Sequence, residues 1–240
     1  GREDLTGEMI FTIDPIDARD FDDAVSLTAR AEGGWLLGVH IADVSHYVHA
    51  GDPIDVEAER RGTSVYLPGQ VIPMLPEALS NEACSLKPGV LRLTKTVEMR
   101  VSPEGLVESA RIFHSFIPSV RRFTYEEAQA VIKGGRLAIE EAAVEDKILE
   151  MHEAAECLRR RRRERGMLEF AIPEPHILTD EQGRTTGVEL LRSDESHRLI
   201  EQFMLAANEA VAEHLMANRL PYLCRAHDEP EPESLREFRE

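Results

Sequence analysis

The chain has 240 residues, 42% of them apolar and 30% charged, which is enough for one sizeable packed core and too apolar for a disordered segment. A formal net charge of −17 argues against a surface that binds nucleic acid through overall basicity, but leaves room for a narrow basic channel or a carboxylate site that holds cations. Three scattered cysteines, Cys84, Cys157 and Cys224, argue against a disulfide framework or zinc site, and no apolar run is long enough to span a membrane, so a cytoplasmic protein with no membrane partner and no signal peptide is expected.

The first half reads as strands. Residues 9–13, 24–29 and 35–41 carry strand-like apolar runs, and Gly33-Gly34 between the last two signals a hairpin. Residues 55–61 suit a helix, and residues 64–67 a short strand stopped by Pro68-Gly69. Residues 93–101 and 107–117, joined by the turn Ser102-Pro103-Glu104-Gly105, predict an antiparallel pair. The second half turns helical. Thr124 and Glu127 form a capping box for a helix from Tyr125 towards Lys133, ended by Gly134-Gly135. A longer helix is predicted over 140–165 and stopped by Gly166. Residues 170–178 and 186–191 predict a further strand pair, and a third helix runs over 196–218 until Pro221. Residues 234–240 look like the first turns of another helix, so the chain is expected to be one domain, 1–240, truncated at its C-terminal end. The fold class expected is α+β: a mixed, largely antiparallel sheet with surrounding helices.

The densest chemical signal is TIDPIDARDFDDA at residues 12–24, with five aspartates in ten residues. Pro15 forces an irregular path between two strands. Carboxylates packed this tightly repel one another, and Arg19 offers only one positive charge in return. Two readings are open: a solvated acidic loop, or a site for hard divalent cations held by oxygen ligands alone. A turn at Pro15 can bring Asp14 beside Asp20, Asp22 and Asp23, as a two-metal site requires, with Asp17 left as a turn residue or partner of Arg19.

At this motif the sequence resembles the RNB family, the catalytic domain of RNase II and RNase R. The resemblance continues through GVHIADVS (38–45), SVYLPG (64–69), IPMLP (72–76), LSN (79–81), CSL (84–86), Arg165-Gly166, residues 201–208 and RAHD (225–228). It implies a Mg²⁺-dependent, hydrolytic 3′→5′ exoribonuclease that degrades single-stranded RNA to nucleoside 5′-monophosphates, with Mn²⁺ as the alternative cation. It assigns Asp14, Asp20, Asp22 and Asp23 to the metals and the attacking water. Tyr66 matches an aromatic that stacks on a base, Phe170 its partner across the stack, Tyr125 a residue positioning the terminal nucleotides, and Glu201 a contact to the terminal ribose. Core packing is the competing reading for Tyr66, Phe170 and Tyr125, and a solvated helix face for Glu201. The family's later arginine motif and its flanking small β-barrel RNA-binding domains lie outside these residues, which leaves a non-catalytic RNA-binding module as the alternative function. A metal-dependent phosphatase is a third reading.

Two further clusters carry competing readings. Arg159 to Arg163 with Arg165 form the most basic stretch, either an RNA path or a solvated helix face. His40, Asp43 and His46 have metal-like spacing but no third nitrogen or sulfur ligand, so local hydrogen bonding is expected of them. Ser45-His46 and Ser196-His197 are adjacent pairs, and adjacency gives no evidence of a triad.

Overall fold

The structure, a computed structural model, describes residues 1–67, 70–135, 142–170, 172–180, 182, 184–191, 193–224, 226 and 228–239. Its centre is a seven-stranded mixed sheet built from β1 (Glu3–Asp4), β2 (Phe11–Asp14), β3 (Asp23–Ala29), β4 (Trp35–Ala42), β7 (Leu91–Val101), β8 (Val107–Pro118) and β9 (Arg121–Thr124). The spatial order is β1-β8-β7-β4-β3-β2-β9. Two small antiparallel pairs stand outside it, β5 (Val65–Leu67) with β6 (Gln70–Ile72), and β10 (Glu174–Thr179) with β11 (Thr185–Leu191). The α+β class and the mixed, largely antiparallel sheet are as the sequence predicts.

Three of the sheet's four antiparallel pairings, β2–β3, β3–β4 and β7–β8, join strands adjacent in sequence, and the fourth, β4–β7, joins distant ones. The β3–β4 hairpin turns at Gly33 and Gly34, both with positive φ, and a side chain on Gly34 would lie 2.2 Å from the Val101 carbonyl oxygen. The β7–β8 pair runs through eleven residues of β7 with a bulge at Arg100/Val101. The two parallel pairings, β1 with β8 and β2 with β9, bring together segments far apart in sequence. One matters for the site, because it aligns Asp14 with Thr124.

One sheet face is apolar. Phe11, Ile13, Val25, Leu37, Val39, Val97 and Met99 point from it into the main core. Three helices cover that face: α2 (Tyr125–Ile132), α3 (Ala142–Glu164) and α4 (Glu195–Ala217). They contribute Val131, Ile148, Met151, Leu199 and Phe203, all buried. Phe11 and Phe123, on neighbouring strands, meet edge to face at 5.2 Å. A smaller cluster, Ile10, Ala24, Cys84, Leu86 and Ile117, lies under the aspartate loop, with Phe21 packed on it. Among the described residues no helix is long and apolar enough to cross a membrane.

Two boundaries differ from the sequence reading, and a third falls within a residue of it. The strand predicted over 170–178 begins only at Glu174, so Phe170 lies ahead of it. The third helix ends at Ala217, before Pro221. Its end is closed by Arg219 at φ 55, with Arg219 N–H donating to Met216 O (3.0 Å) and Leu220 N–H to Leu215 O (2.9 Å). The segment before β6 belongs to a hairpin rather than a lone strand, and its Pro68-Gly69 lies outside the described residues, as do residues 140–141 of the predicted long helix. Helices α1 (Pro53–Arg61) and α5 (Pro232–Arg239) fall where helical signals were read.

Candidate active site

The aspartate loop joins the end of β2 to the start of β3. Asp14 closes β2 and Asp23 opens β3. The loop between them is not extended, and it is pinned from below. Ser85 Oγ donates to the Arg19 carbonyl (2.8 Å) and accepts from the Phe21 N–H (3.0 Å). Leu86 N–H donates to the Phe21 carbonyl (2.9 Å), and Ala42 N–H to the Asp22 carbonyl (2.9 Å). These bonds hold a strongly acidic segment in one shape although its side chains repel. Asp17 is exposed in the turn after Pro15.

The four carboxylates expected to act together do influence one another. Burial pushes Asp14 up to about 6, and the charges of Asp20 and Asp22 push the same way against Arg122. Burial also pushes Asp23 up to about 6, with Asp14 and Asp22 adding to it. Asp22 is raised by burial and by Asp20. Asp14 is 8% exposed, and its Oδ2 is buried without a hydrogen-bond partner. The compensating cation is Arg122 from β9 rather than Arg19. Arg122 Nη2 donates to the Pro15 carbonyl, and its guanidinium lies 5.5 Å from the Phe21 ring centroid. Arg19 makes no ion pair among the described residues.

Among the described residues no three acidic, histidine or cysteine side chains stand close enough together to hold one ion as they are. Burial first, and the neighbouring carboxylates after it, shift Asp14 and Asp23 upward, so each is easier to protonate than an ordinary aspartate. The donor set nonetheless fits a hard divalent cation. It is all oxygen, strongly negative, partly desolvated, and leaves a buried carboxylate oxygen unsatisfied.

Two tyrosines flank the carboxylates. Tyr66, on the β5–β6 hairpin, is 68% exposed, and its hydroxyl points at Asp20 Oδ2 at 3.5 Å. Its ring is therefore not a core residue. Tyr125 opens α2, one residue after Thr124, whose side chain accepts from Glu127 N–H (3.1 Å) while Glu127 Oε2 accepts from Thr124 N–H (2.9 Å). Burial pushes the Tyr125 phenol up to about 12, with Asp23, Asp14 and Asp194 adding to it. The phenol thus keeps its proton beside the carboxylates. The Tyr125 ring stacks on His197 at 3.9 Å and 13°.

The remaining assignments fare differently. Glu201 is exposed on α4, one turn beyond His197 and on the same helix face. Phe170 is 58% exposed but meets Phe238 of α5 edge to face at 5.7 Å, with no contact to Tyr66. The arginine run is largely neutralised within the protein. Arg159 pairs with Glu169 and Glu156, Arg162 with Glu209, Arg163 with Glu169 and Arg161 with Glu164. His40 is buried between Ser26 Oγ (2.9 Å) and Thr96 Oγ1 (2.8 Å), and burial pushes it down to about 3. Asp43 is gripped by Arg2 (2.5 Å), Ser45, Lys95 and His114; these outweigh its burial and hold it at about 2. Neither belongs to a metal site. Of the RAHD segment, Arg225 and His227 lie outside the described residues.

Ser85, inside the CSL motif, Arg122 and His197 receive no role from the sequence, and each meets the site through a tertiary contact.

Known proteins resemble the whole chain. The family model for the RNB domain matches residues 2–240. Ribonuclease R 1 of Lactococcus lactis is 43% identical over 242 residues, covering 99% of this chain and 29% of that protein. Ribonuclease R of Thermotoga maritima is 44% identical over 236 residues, covering 98% and 33% respectively. The solved structure of Mycoplasma genitalium RNase R in complex with ribose-methylated single-stranded RNA superposes with a TM-score of 0.93 at 31% identity, over 99% of this chain and 37% of that one. The chain thus spans about a third of the length of the relatives it matches.

Proposed function

The chain belongs to the RNB-domain family, and on that premise we propose that it is the carboxylate-bearing part of a hydrolytic 3′→5′ exoribonuclease that degrades single-stranded RNA to nucleoside 5′-monophosphates. One observation carries the reading. Four carboxylates in one pinned loop perturb one another and are flanked by an exposed tyrosine ring and a buried phenol. Paired carboxylates of this kind serve phosphoryl chemistry, where negative charge must be gathered and balanced.

Asp14, Asp20, Asp22 and Asp23 are the residues that would hold Mg²⁺, or Mn²⁺, which when bound supplies an activated water and neutralises charge on the scissile phosphate. The protein's own groups do the positioning. The exposed face of Tyr66 offers a stacking surface that tolerates any base. Tyr125 stays protonated at neutral pH, so beside the scissile phosphate it serves as a hydrogen-bond donor and not as a base. Glu201 is an acceptor suited to a ribose hydroxyl, which would separate RNA from DNA. Phe170 would complete the base stack only by leaving Phe238. Single-stranded RNA, entering by its 3′ end, is the partner, with small β-barrel RNA-binding domains as neighbours in a longer polypeptide. The cytoplasm is the proposed location.

A non-catalytic RNA-binding module is the second reading, favoured by the absence of three converging ligands among the described residues. Incubating the full-length natural polypeptide and Mg²⁺ with an RNA oligomer, and separately with a mononucleotide phosphate, decides between these. Mononucleotide release from RNA alone supports the exoribonuclease. RNA bound but uncut supports the binding module, and attack on the small phosphate ester supports a phosphatase.

A further inference from the structure

We infer that His197 is a positioning residue for the exoribonuclease reaction: it clamps the Tyr125 ring from the first turn of α4 so that the phenol faces the carboxylates. The inference rests on the proposed function and deepens it.

The clamp begins at Asp194, the N-cap of α4. Its Oδ1 accepts from Ser196 N–H (3.1 Å), Ser196 Oγ (2.6 Å) and His197 N–H (3.2 Å), the usual work of a cap. The same oxygen also meets His197 Nδ1 at 2.8 Å. The carboxyl is held low despite its burial, through Ser196 and His197, so it is an acceptor and Nδ1 must be the donor. That bond fixes both the tautomer and the plane of the imidazole. The plane lies within 13° of the Tyr125 ring, with centroids 3.9 Å apart.

Tyr125 is constrained from its own side as well. It follows Thr124, which aligns with Asp14 across the parallel β2–β9 ladder, and the capping box fixes the start of α2. Gln129 Oε1 in the second turn of α2 accepts from Ser196 N–H (3.1 Å), tying α2 to the first turn of α4. The Tyr125 ring packs against the main core, and the imidazole face stacks on the ring and completes its enclosure. In the contacts observed among the described residues, His197 touches none of the four carboxylates of the aspartate loop, so its effect on the reaction runs through Tyr125.

The test uses the full-length natural polypeptide and a 5′-labelled single-stranded RNA with Mg²⁺. Four proteins are compared with the wild type: His197→Phe, which keeps an aromatic face; His197→Leu, which keeps bulk without one; Tyr125→Ala; and Tyr125→Ala combined with His197→Leu. His197→Leu is expected to lower kcat about ten-fold with KM for RNA within about two-fold, the pattern of misaligned bound groups. His197→Phe should recover most of the rate. In the Tyr125→Ala background His197→Leu should cost nothing further. A His197→Leu protein as fast as the wild type, a Phe variant as slow as Leu, or the same ten-fold loss without Tyr125 would each overturn the inference. Should the wild type leave RNA intact, the proposed function fails first. The clamp is then read from the Tyr125 ring resonances by NMR, which should move in His197→Leu and stay near the wild type in His197→Phe; ring resonances unmoved in His197→Leu would overturn it.

Discussion

Replacing Asp14 by Asn removes a charge that the cation-free protein holds at a cost. The Asp14 carboxyl sits at about 6 in the folded chain against an ordinary value of 3.8, because it is buried at the end of β2 and faces Asp20 and Asp22. A raised value means that the folded state binds the proton more tightly than the unfolded state. The associated stability is complete below about pH 4 and is lost as pH rises through about 6. At about 1.4 kcal/mol per pH step, the gap amounts to about 3 kcal/mol, and screening of the partly exposed neighbours reduces it to about 2 kcal/mol. With chelator present, Asp14→Asn should therefore be about 2 kcal/mol more stable than the wild type at pH 7.5, and equal to it within about 0.5 kcal/mol at pH 4. Urea unfolding followed by circular dichroism at the two pH values measures this directly. Saturating Mg²⁺ should raise wild-type stability at pH 7.5 and leave the variant nearly unchanged. A variant destabilised at pH 7.5, or one stabilised equally at both pH values, would refute the assignment of Asp14 as a strained carboxylate awaiting a cation.

Three other substitutions probe the support around the site. Ser85→Ala deletes both bonds that pin the aspartate loop, and should cost about 1–2 kcal/mol of stability. It should cost about ten-fold in activity besides, because the carboxylates lose their register; unfolding and RNA cleavage measured on the same preparation separate the two. Tyr66→Ala removes a ring that is 68% exposed, so the unfolding midpoint should hold while single-stranded RNA affinity falls by about 1–3 kcal/mol, as read by fluorescence anisotropy. Gly38→Ala would place a methyl 2.3 Å from Ser26 Oγ and 2.9 Å from His40 Nε2, so a loss of about 2–3 kcal/mol in denaturant unfolding is expected.

The sequence disclosed whatever is encoded within a few residues. Thr124 and Glu127 announced the start of α2 because a capping box is a local bargain between two side chains and two N–H groups. Gly33 and Gly34 announced a hairpin because the turn needs positive φ. The aspartate loop was legible from its density alone, since so much like charge demands an explanation. Long-range pairing was not legible. Arg121–Thr124 is a four-residue strand with two arginines and no alternation, and only its parallel ladder with β2 makes it a strand. Yet that ladder brings Tyr125 to Asp14 and supplies Arg122 as the local cation. Pro68-Gly69 reads as a stop, whereas β5 and β6 pair across it. The apolar run from Phe170 suggests a strand, whereas β10 begins at Glu174 and the structure seats Phe170 against Phe238. The arginine run looks like a nucleic-acid patch in one dimension, but Glu156, Glu169 and Glu209 answer it in three.

The proposed function has the pinned aspartates cleaving RNA from its 3′ end. The most direct measurement follows a 5′-labelled single-stranded RNA incubated with Mg²⁺ and the full-length natural polypeptide, with and without Asp22→Asn. The proposed function predicts stepwise shortening from the 3′ end, abolished in the variant while RNA binding stays within about two-fold, because it assigns the chemistry to Asp22 and the grip to Tyr66. A variant that still shortens the RNA, or a wild type that binds the RNA and never cuts it, would contradict the account.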